Sequence, residues 1–385
     1  METNEVEERR RFVRAFAHGD WTMSALCARF GIARPTGYKW WGRYVADAGT
    51  DFRDQPRAPH HSPTRTERRV EALIVAARRE YGWGAKKLRC VLQTTHPAIV
   101  WPARSTVNEI LDRHGLLEKQ RRRSTWPHSG TVSLHTDRPN QVWPADFKGQ
   151  FKTGDGRYCY PLTITDHFSR RVLAVTGLPM ISSAATRAIF LRLFREVGLP
   201  EAIRTDNGQP FASPALHGLS ALNVWWMQLG IVHQRIRPAR PQENATHERM
   251  HRELKRETTQ PAAATHRAQQ RRFNLFRNRY NDVRPHEGIG NHTPSTRWKP
   301  SARMYPERIT PPAYPTGYET RRVSSGGTIR FQGHVVFVSQ ALQHQDLGLT
   351  AVDDGLWRIV YYQTAIGTLD ERTHRVTGLG RLATV

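Results

Sequence analysis

The sequence predicts an α/β protein of several domains, with helical units at the amino terminus, a mixed sheet flanked by helices in the centre, and a small β-barrel at the carboxyl terminus. Residues 1–117 carry amphipathic helical patterns, and residues 142–258 alternate between apolar runs and helical patterns. Short alternating runs separated by turns occupy residues 318–385. The length of 385 residues allows two or three such domains.

The first helical pattern, over residues 21–44, is typical of a helix–turn–helix unit. Leu26 and Phe30 share one face of the first helix, Gly31 supplies the turn, and Pro35 opens the second helix. A recognition helix usually meets base edges near its start. The candidate DNA-binding residues at this position are Arg34, Thr36 and Lys39.

A second unit of the same kind follows the first. Helices are predicted over 67–80 and 86–92, and a third helix opens after Pro102, where Arg104 and Ser105 are the candidate DNA contacts. An ordinary three-helix bundle would give the same pattern in either unit. Two such units in tandem on a basic chain favour DNA binding.

Two segments without hydrophobic periodicity separate the predicted domains. The first is basic, and its candidate DNA-binding residues are Arg121, Arg122 and Arg123; the second is rich in proline. The predicted division is 1–62 and 63–117 for the helix–turn–helix units, 118–138 for the basic linker, 139–298 for the central domain, 299–317 for the Pro-rich linker and 318–385 for the β-barrel.

The central domain is predicted to contain five strands. Strands over 142–151, 157–166 and 171–176 are joined by tight turns and must be antiparallel, whereas strands over 201–205 and 231–236 alternate with helices, which implies parallel crossovers. The predicted helices cover 182–197, 215–229 and 243–258. This order gives a mixed five-stranded sheet with flanking helices, which is the ribonuclease H-like layout.

The charge of the chain identifies a class of partner. Lys and Arg number 58 against 34 Asp and Glu, a net charge of +24, which points to a polyanion such as nucleic acid. No apolar run approaches the ~18 residues of a spanning helix, and the acidic start is not a signal peptide, so no membrane partner is expected. Three widely spaced cysteines exclude a disulfide scaffold and fit a reducing cytoplasm.

Three acids are the candidate catalytic residues. Asp146 lies in the first central strand, Asp206 lies where the fourth ends, and Glu248 shares a helix face with Arg252 and Lys255, two candidate DNA contacts. Taken alone, each acid also fits an ordinary exposed residue. Converging carboxylates repel one another unless a cation neutralises them, and oxygen ligands suit Mg²⁺ or Mn²⁺. Two such ions ~4 Å apart can assist phosphodiester chemistry.

Five segments of the central part occur in a characteristic order. They are PNQVWPADFKGQF (139–151), TITDHFSRRVLAV (163–175), IRTDNGQPFAS (203–213), RPQENATHERMHRELK (240–255) and YNDVRPHEGIGNHTP (280–294). These segments resemble the integrase core of DDE-type bacterial insertion-sequence transposases, relatives of retroviral integrases. The resemblance implies that Asp146, Asp206 and Glu248 form the catalytic, metal-binding triad. It also implies double-stranded DNA as substrate, cleavage at the ends of an element, strand transfer by the freed 3′-hydroxyl, and at least a homodimer in the working complex.

The sequence departs from the family pattern in two places. The number of residues after Asp206 alone would select Glu243 as the third acid, because it is near the spacing usual in the family. The motif PQ-x-N-x-x-x-ER selects Glu248 instead. Ala245 stands where the family usually has Gly, which predicts a stiffer loop before the catalytic helix. Two other functions also fit: a DNA-binding regulator or assembly protein with an inactive core, and a ribonuclease H-like nuclease.

Overall fold

The predicted succession of helices, mixed sheet and carboxyl-terminal strands is present in the structure. This computed structural model describes residues 4–54, 65–117, 135–212, 218–236, 245–378 and 383–384. The chain divides into two units, Met1–Thr66 and Glu67–Val385.

Three helices form the first unit: α1 (Glu5–Ala17), α2 (Met23–Arg29) and α3 (Arg34–Ala46). The side chain of Thr22 accepts a hydrogen bond from the Ala25 amide and so caps α2, and Gly31 turns the chain with a φ of +62°. A Cβ on Gly37 of α3 would lie 2.6 Å from Cys27 Sγ. The close approach of α3 to α2 therefore depends on glycine at that position.

The second unit begins with three more helices, α4 (Arg68–Tyr81), α5 (Ala85–Thr95) and α6 (Arg104–Arg113). Ile74, Leu88 and Ile110, one from each helix, are fully buried together. The amphipathic spacing in the sequence therefore produces a three-helix cluster with one apolar centre.

A mixed sheet lies at the centre of the second unit. Its strands are β1 (Val142–Phe147), β2 (Phe151–Lys152), β3 (Tyr158–Thr165), β4 (Val172–Leu178), β5 (Ala202–Thr205) and β6 (Val232–Arg235). β3 pairs antiparallel with β1, β2 and β4, whereas β1 pairs parallel with β5, and β5 with β6. The single first strand predicted over 142–151 is interrupted at 148–150, and β2 resumes the pairing with β3.

Helices cover this sheet: α7 (Ser183–Val197), α8 (Ala221–Gln228), α9 (Ala245–Thr258) and α10 (His266–Asp282). Trp143 of β1 is fully buried among aromatic side chains of α7 and α8, including Phe190 and Trp226. The helix predicted over 215–229 begins only at Ala221, because Ser220 and Asn223 form a capping box there.

The proline-rich segment 299–317 contains no strand or helix, and it is anchored to the central domain. The Arg303 guanidinium donates hydrogen bonds to the carbonyl oxygens of Pro200 (2.6 Å) and Leu229 (2.9 Å). These bonds hold the irregular segment in place, because a long cation satisfies carbonyls at the end of α8 and in the connection before β5.

The carboxyl-terminal strands are β7 (Glu319–Arg322), β8 (Thr328–Phe331), β9 (His334–Phe337), β10 (Asp346–Asp353), β11 (Leu356–Tyr361), β12 (Thr364–Asp370), β13 (Arg375–Thr377) and β14 (Ala383–Thr384). The order β13-β12-β11-β10-β7 is antiparallel, β14 also pairs with β12, and β8 and β9 form a separate hairpin. Within the residues described, no strand pairing closes this sheet. The expected small β-barrel is therefore corrected to an open antiparallel sheet with an added hairpin, which share one apolar core.

Among the helices that the structure describes, none combines the length and the apolarity that crossing a bilayer requires.

Candidate active site

Asp146 lies in β1, and Asp206 follows directly after β5, the parallel neighbour of β1. The register of β1 and β5 places Pro144 opposite Arg204, and continuing it by two residues brings Asp146 beside Asp206. The Asp206 carboxylate accepts a 3.1 Å hydrogen bond from the Gly208 amide. A Cβ on Gly208 would lie 3.1 Å from Asp206 Oδ2, so a larger residue would crowd the carboxylate.

Glu248 approaches the same place from the first turn of α9. Met250 and Leu254 are buried on the sheet-facing side of this helix. Glu248, Arg252 and Lys255 are exposed, as the predicted shared face requires. Packing of the apolar side of α9 therefore leaves the acid and the two cations accessible together.

The electrostatics link all three acids. Burial of the Asp146 carboxyl, reinforced by the negative charges of Asp206 and Glu248, raises its pKa from 3.8 to about 7. The side chain of Asp146 is 20% exposed. A carboxyl group perturbed by burial and by two other acids is typical of a functional site.

A chain of hydrogen bonds that the sequence did not predict lies behind Asp146. Thr165 Oγ1 is 3.1 Å from His247 Nδ1, and His247 Nε2 is 2.7 Å from Thr163 Oγ1. The same Thr163 hydroxyl is 2.7 Å from His251 Nε2, and His251 Nδ1 is 3.9 Å from Asp146 Oδ2. We name Thr165, His247, Thr163 and His251 the histidine relay.

Burial keeps both relay histidines neutral, because it lowers the pKa of His247 to about 3 and that of His251 to about 2. The single proton of the Thr163 hydroxyl can be donated to His247, to His251 or to the Asp146 carbonyl oxygen, which is 3.0 Å away. When it donates to His251, the Nδ1–H of that ring faces the Asp146 carboxylate. This arrangement is favoured when Asp146 is ionised, because an N–H dipole then faces a negative charge.

The ligand atoms of Asp146, His247 and His251 lie within 4.8 Å of one another, a spacing that could suit a metal ion. The two nitrogens of His247, however, already contact Thr163 and Thr165. The Thr163 hydroxyl also bridges the Nε2 atoms of both rings. The histidines therefore support Asp146 and do not form a separate three-ligand centre with it.

Another buried histidine, His233, contacts the last residue of β5, next to Asp206. The Asn223 amide lies 3.0 Å from His233 Nδ1, and His233 Nε2 lies 2.9 Å from Thr205 Oγ1. The Thr205 hydroxyl donates to the Asp206 carbonyl oxygen over 2.9 Å. Burial lowers the pKa of His233 to about 3, so the ring is neutral. Each aspartate thus follows or faces a threonine that is hydrogen-bonded to a neutral histidine.

The available sequence signal for the relay was the position of His247 and His251, four residues apart on the sheet side of α9. It was missed because polar residues on a helix are usually assigned to its exposed side.

Apart from Arg252 and Lys255, the described residues place the predicted DNA contacts at the starts of two helices. Arg34 and Lys39 are exposed on α3, and Thr36 between them is half-buried. Arg104 and Ser105 are exposed in the first turn of α6. Arg121, Arg122 and Arg123, together with the alternative acid Glu243, lie outside the described residues.

Comparisons with known proteins match the central and amino-terminal parts of the chain to known domain families. Residues 136–241 and 229–294 match integrase core domain families, and residues 8–60 match a helix–turn–helix domain. An uncharacterized 39.2 kDa protein of insertion element IS476 from Xanthomonas euvesicatoria is 26% identical over 62% of this chain and 66% of its own. An uncharacterized 31.7 kDa protein of insertion element IS407 from Burkholderia multivorans is 29% identical over 41% of this chain.

The alignment with the IS407 protein covers 54% of that relative, so the chain spans between about half and two thirds of these two proteins. Among solved structures, an HTLV-2 integrase catalytic core domain in complex with magnesium is 19% identical, with a TM-score of 0.32, over 42% of this chain and 97% of that chain. The expected resemblance is confirmed: the central part of the chain is similar to integrase core domains, its amino-terminal part is similar to a helix–turn–helix domain, and the chain is similar to proteins of insertion elements.

Proposed function

We propose that this protein is a transposase that binds the ends of a mobile DNA element, cleaves them in a metal-dependent reaction and joins them to target DNA. The observation that carries the proposal is the placement of Asp146 in β1 beside Asp206, which follows β5, with Glu248 close enough for its charge to act on Asp146. An acid held in this way on an integrase core domain is suited to phosphodiester chemistry.

The three acids fit divalent cations. Their oxygen atoms are hard ligands of the kind that Mg²⁺ and Mn²⁺ prefer, and a cation would relieve the repulsion that raises the pKa of Asp146. We infer that Asp146 and Asp206 would ligate two ions and that Glu248 would hold one of them. Bound there, such ions would activate the attacking oxygen and stabilise the leaving oxygen of a phosphodiester.

The remaining groups position the acids and the DNA. The histidine relay would orient the Asp146 carboxylate, as partners of metal ligands commonly do. Arg252 and Lys255, exposed beside Glu248, would contact backbone phosphates. Base recognition would belong to the residues at the starts of α3 and α6, with Arg121, Arg122 and Arg123 adding phosphate contacts. Two element ends must be held together, so we infer a homodimer or larger assembly.

The products of one reaction distinguish this function from the alternatives. Purified protein is incubated with a duplex that carries the terminal repeat from beside its gene and with a target plasmid, in Mg²⁺ or in EDTA. We expect Mg²⁺-dependent nicking at the repeat end and joined plasmid products, and the Asp206→Asn variant controls for contaminating nucleases. Hydrolysed ends without joining would indicate a nuclease, and binding without cleavage would indicate a regulator.

The histidine relay has its own test. Thr163→Val removes the bridging hydroxyl at nearly constant volume and is expected to raise the Mg²⁺ concentration needed for half-maximal cleavage by ~10 to 100-fold. Thr163→Ser keeps the hydroxyl and should restore a value close to that of the wild type. If the valine variant only lowers the melting temperature and leaves the Mg²⁺ requirement unchanged, the relay is structural and does not position Asp146.

A further inference from the structure

A cavity of about 290 Å³ lies between the helical cluster of α4, α5 and α6 and the central domain. Asp146, Asp206 and Glu248 do not line it. Its walls come from α5, from the turn between β3 and β4, from α9, and from α10 with the segment that follows it. The lining charged residues are Lys87, Arg170, Arg249, Arg284, Glu253 and Glu287. Cations therefore outnumber acids around this space.

Both acids of the cavity already have cationic partners. Arg284 Nη1 lies 2.8 Å from Glu253 Oε2, and Lys86 Nζ, from a residue outside the lining, lies 3.4 Å from Glu287 Oε2. The Arg284 side chain is only 7% exposed and lies over the rings of Trp83 and Tyr280. Through these contacts Arg284 joins the helical cluster to the central domain. Because Glu253 and Glu287 already have cationic partners, the other cations that line the cavity have no lining carboxylate left to pair with.

Three cations remain: Lys87, Arg170 and Arg249. Within the part of the chain that the structure describes, none of them has an ion pair or a side-chain hydrogen bond, and Arg170 Nη1 is buried without an acceptor. Burial and the nearby charge of Arg284 lower the pKa of Lys87, and burial lowers that of Arg170. Partly dehydrated cations of like charge are costly to hold together unless an anion joins them.

Neutral hydrogen-bonding groups complete the lining. Thr246 brings a hydroxyl and Tyr280 a phenol, whose pKa burial raises to about 12, so that the phenol keeps its proton. His286 adds no charge, because burial lowers its pKa to about 3. Guanidinium, ammonium and hydroxyl groups around one space are the donors that bind phosphate oxygens.

We propose that this cavity binds a backbone phosphate of the DNA. The assignment to DNA rests on the proposed function, and the position of α9 supports it. Thr246, Arg249 and Glu253 follow one side of α9, whereas Glu248 lies on another. A phosphate held here would contact both α9, the helix that carries Glu248, and α5 of the helical cluster. It would therefore anchor the duplex at a point separate from the reacting bond.

Salt-dependent DNA binding tests the proposal. Binding of an end-containing duplex is measured by fluorescence anisotropy over a range of NaCl concentrations, in EDTA so that cleavage plays no part. For Lys87→Ala and for Arg249→Ala, we expect the slope of log K against log [NaCl] to fall by about 1 and the affinity at about 0.1 M salt to fall by roughly eightfold. Arg192→Ala removes the same charge from the exposed side of α7 and should leave the slope unchanged.

A second measurement identifies the source of the phosphate. Inorganic phosphate is added to the wild type and to Arg249→Ala at constant ionic strength, and the melting temperatures are compared. Stabilisation of the wild type alone, together with unchanged DNA slopes in both cavity variants, would assign the cavity to a free anion and overturn the DNA assignment. If both cavity variants keep the salt slope of the wild type, and phosphate does not raise the melting temperature of the wild type, the cavity is not a phosphate site.

The outcomes for the cavity and for the proposed function are separable. Reduced slopes in a protein that never cleaves DNA would support the cavity and contradict the transposase function. Unchanged salt slopes in a protein that cleaves and joins DNA would contradict the cavity as a phosphate site and support the transposase function. Melting curves of both cavity variants, taken without DNA, show whether each one is folded.

Discussion

Glu248→Gln is expected to reduce Mg²⁺-dependent cleavage and joining by at least about a thousandfold, whereas Glu243→Gln should leave both within about twofold of the wild type. The substitution of Glu248 removes a negative ligand while keeping the shape of the side chain. The negative charge of Glu248 contributes to the raised pKa of Asp146, whereas Glu243 lies outside the described residues. Cleavage rates at saturating and limiting Mg²⁺ measure the difference between the two variants.

DNA binding in EDTA is the control for this comparison. Glu248 is exposed, so its replacement should not disturb the core, and the variant should bind the duplex at least as tightly as the wild type because one repulsive charge is lost. Loss of activity in Glu243→Gln with full activity in Glu248→Gln would reverse the assignment of the third acid, and the spacing argument in the sequence would then be correct.

Asp146→Asn is expected to stabilise the metal-free protein above pH 7 while abolishing cleavage. The Asp146 pKa is about 7 in the folded chain and 3.8 without its surroundings. A raised folded pKa contributes stability below pH 3.8, and that stability is lost as the pH rises through 7. The difference corresponds to roughly 4 kcal/mol, so we expect a gain of about 1 to 4 kcal/mol in the free energy of unfolding of the variant.

Melting temperatures in EDTA from pH 5 to pH 8.5 test this expectation. The advantage of Asp146→Asn over the wild type should grow between pH 5 and 7 and reach a plateau above it. Mg²⁺ should raise the melting temperature of the wild type at pH 8 and have little effect on the variant, because a cation that binds the folded state stabilises it. If the difference in melting temperature between the two proteins does not change with pH, the pKa of Asp146 is not raised in the folded protein.

Much of the fold could be predicted from the sequence, and the differences have local causes. The five strand positions and their directions follow from strand spacing, because tight turns force antiparallel pairs and intervening helices permit parallel ones. The break at 148–150 in the first strand and the late start of α8 at Ala221 were not predicted. The first depends on pairing with β3, and the second on a capping box, and neither alters hydrophobic periodicity.

For the carboxyl-terminal sheet, the strands could be predicted from the sequence but the closure of the sheet could not. Alternation and turns predict that strands form there, and they do. Whether a sheet closes depends on pairing between its first and last strands, which are distant in the sequence. That pairing is absent among the described residues, where β7 and β13 lie at the two ends of the sheet.

The sequence by itself determined a basic chain with helical units, a central part similar to integrase core domains, and three acids whose catalytic role stays a prediction. Strand ends, helix faces and motif order are local properties, which is why they can be interpreted without coordinates. Tertiary structure alone decided what surrounds the acids. Thr163 and His247 stand 84 residues apart, and α5 and α9, which are distant in the sequence, border one cavity. Burial and charge at such places arise only when distant segments pack together, because dehydration and Coulomb energy depend on distance in space.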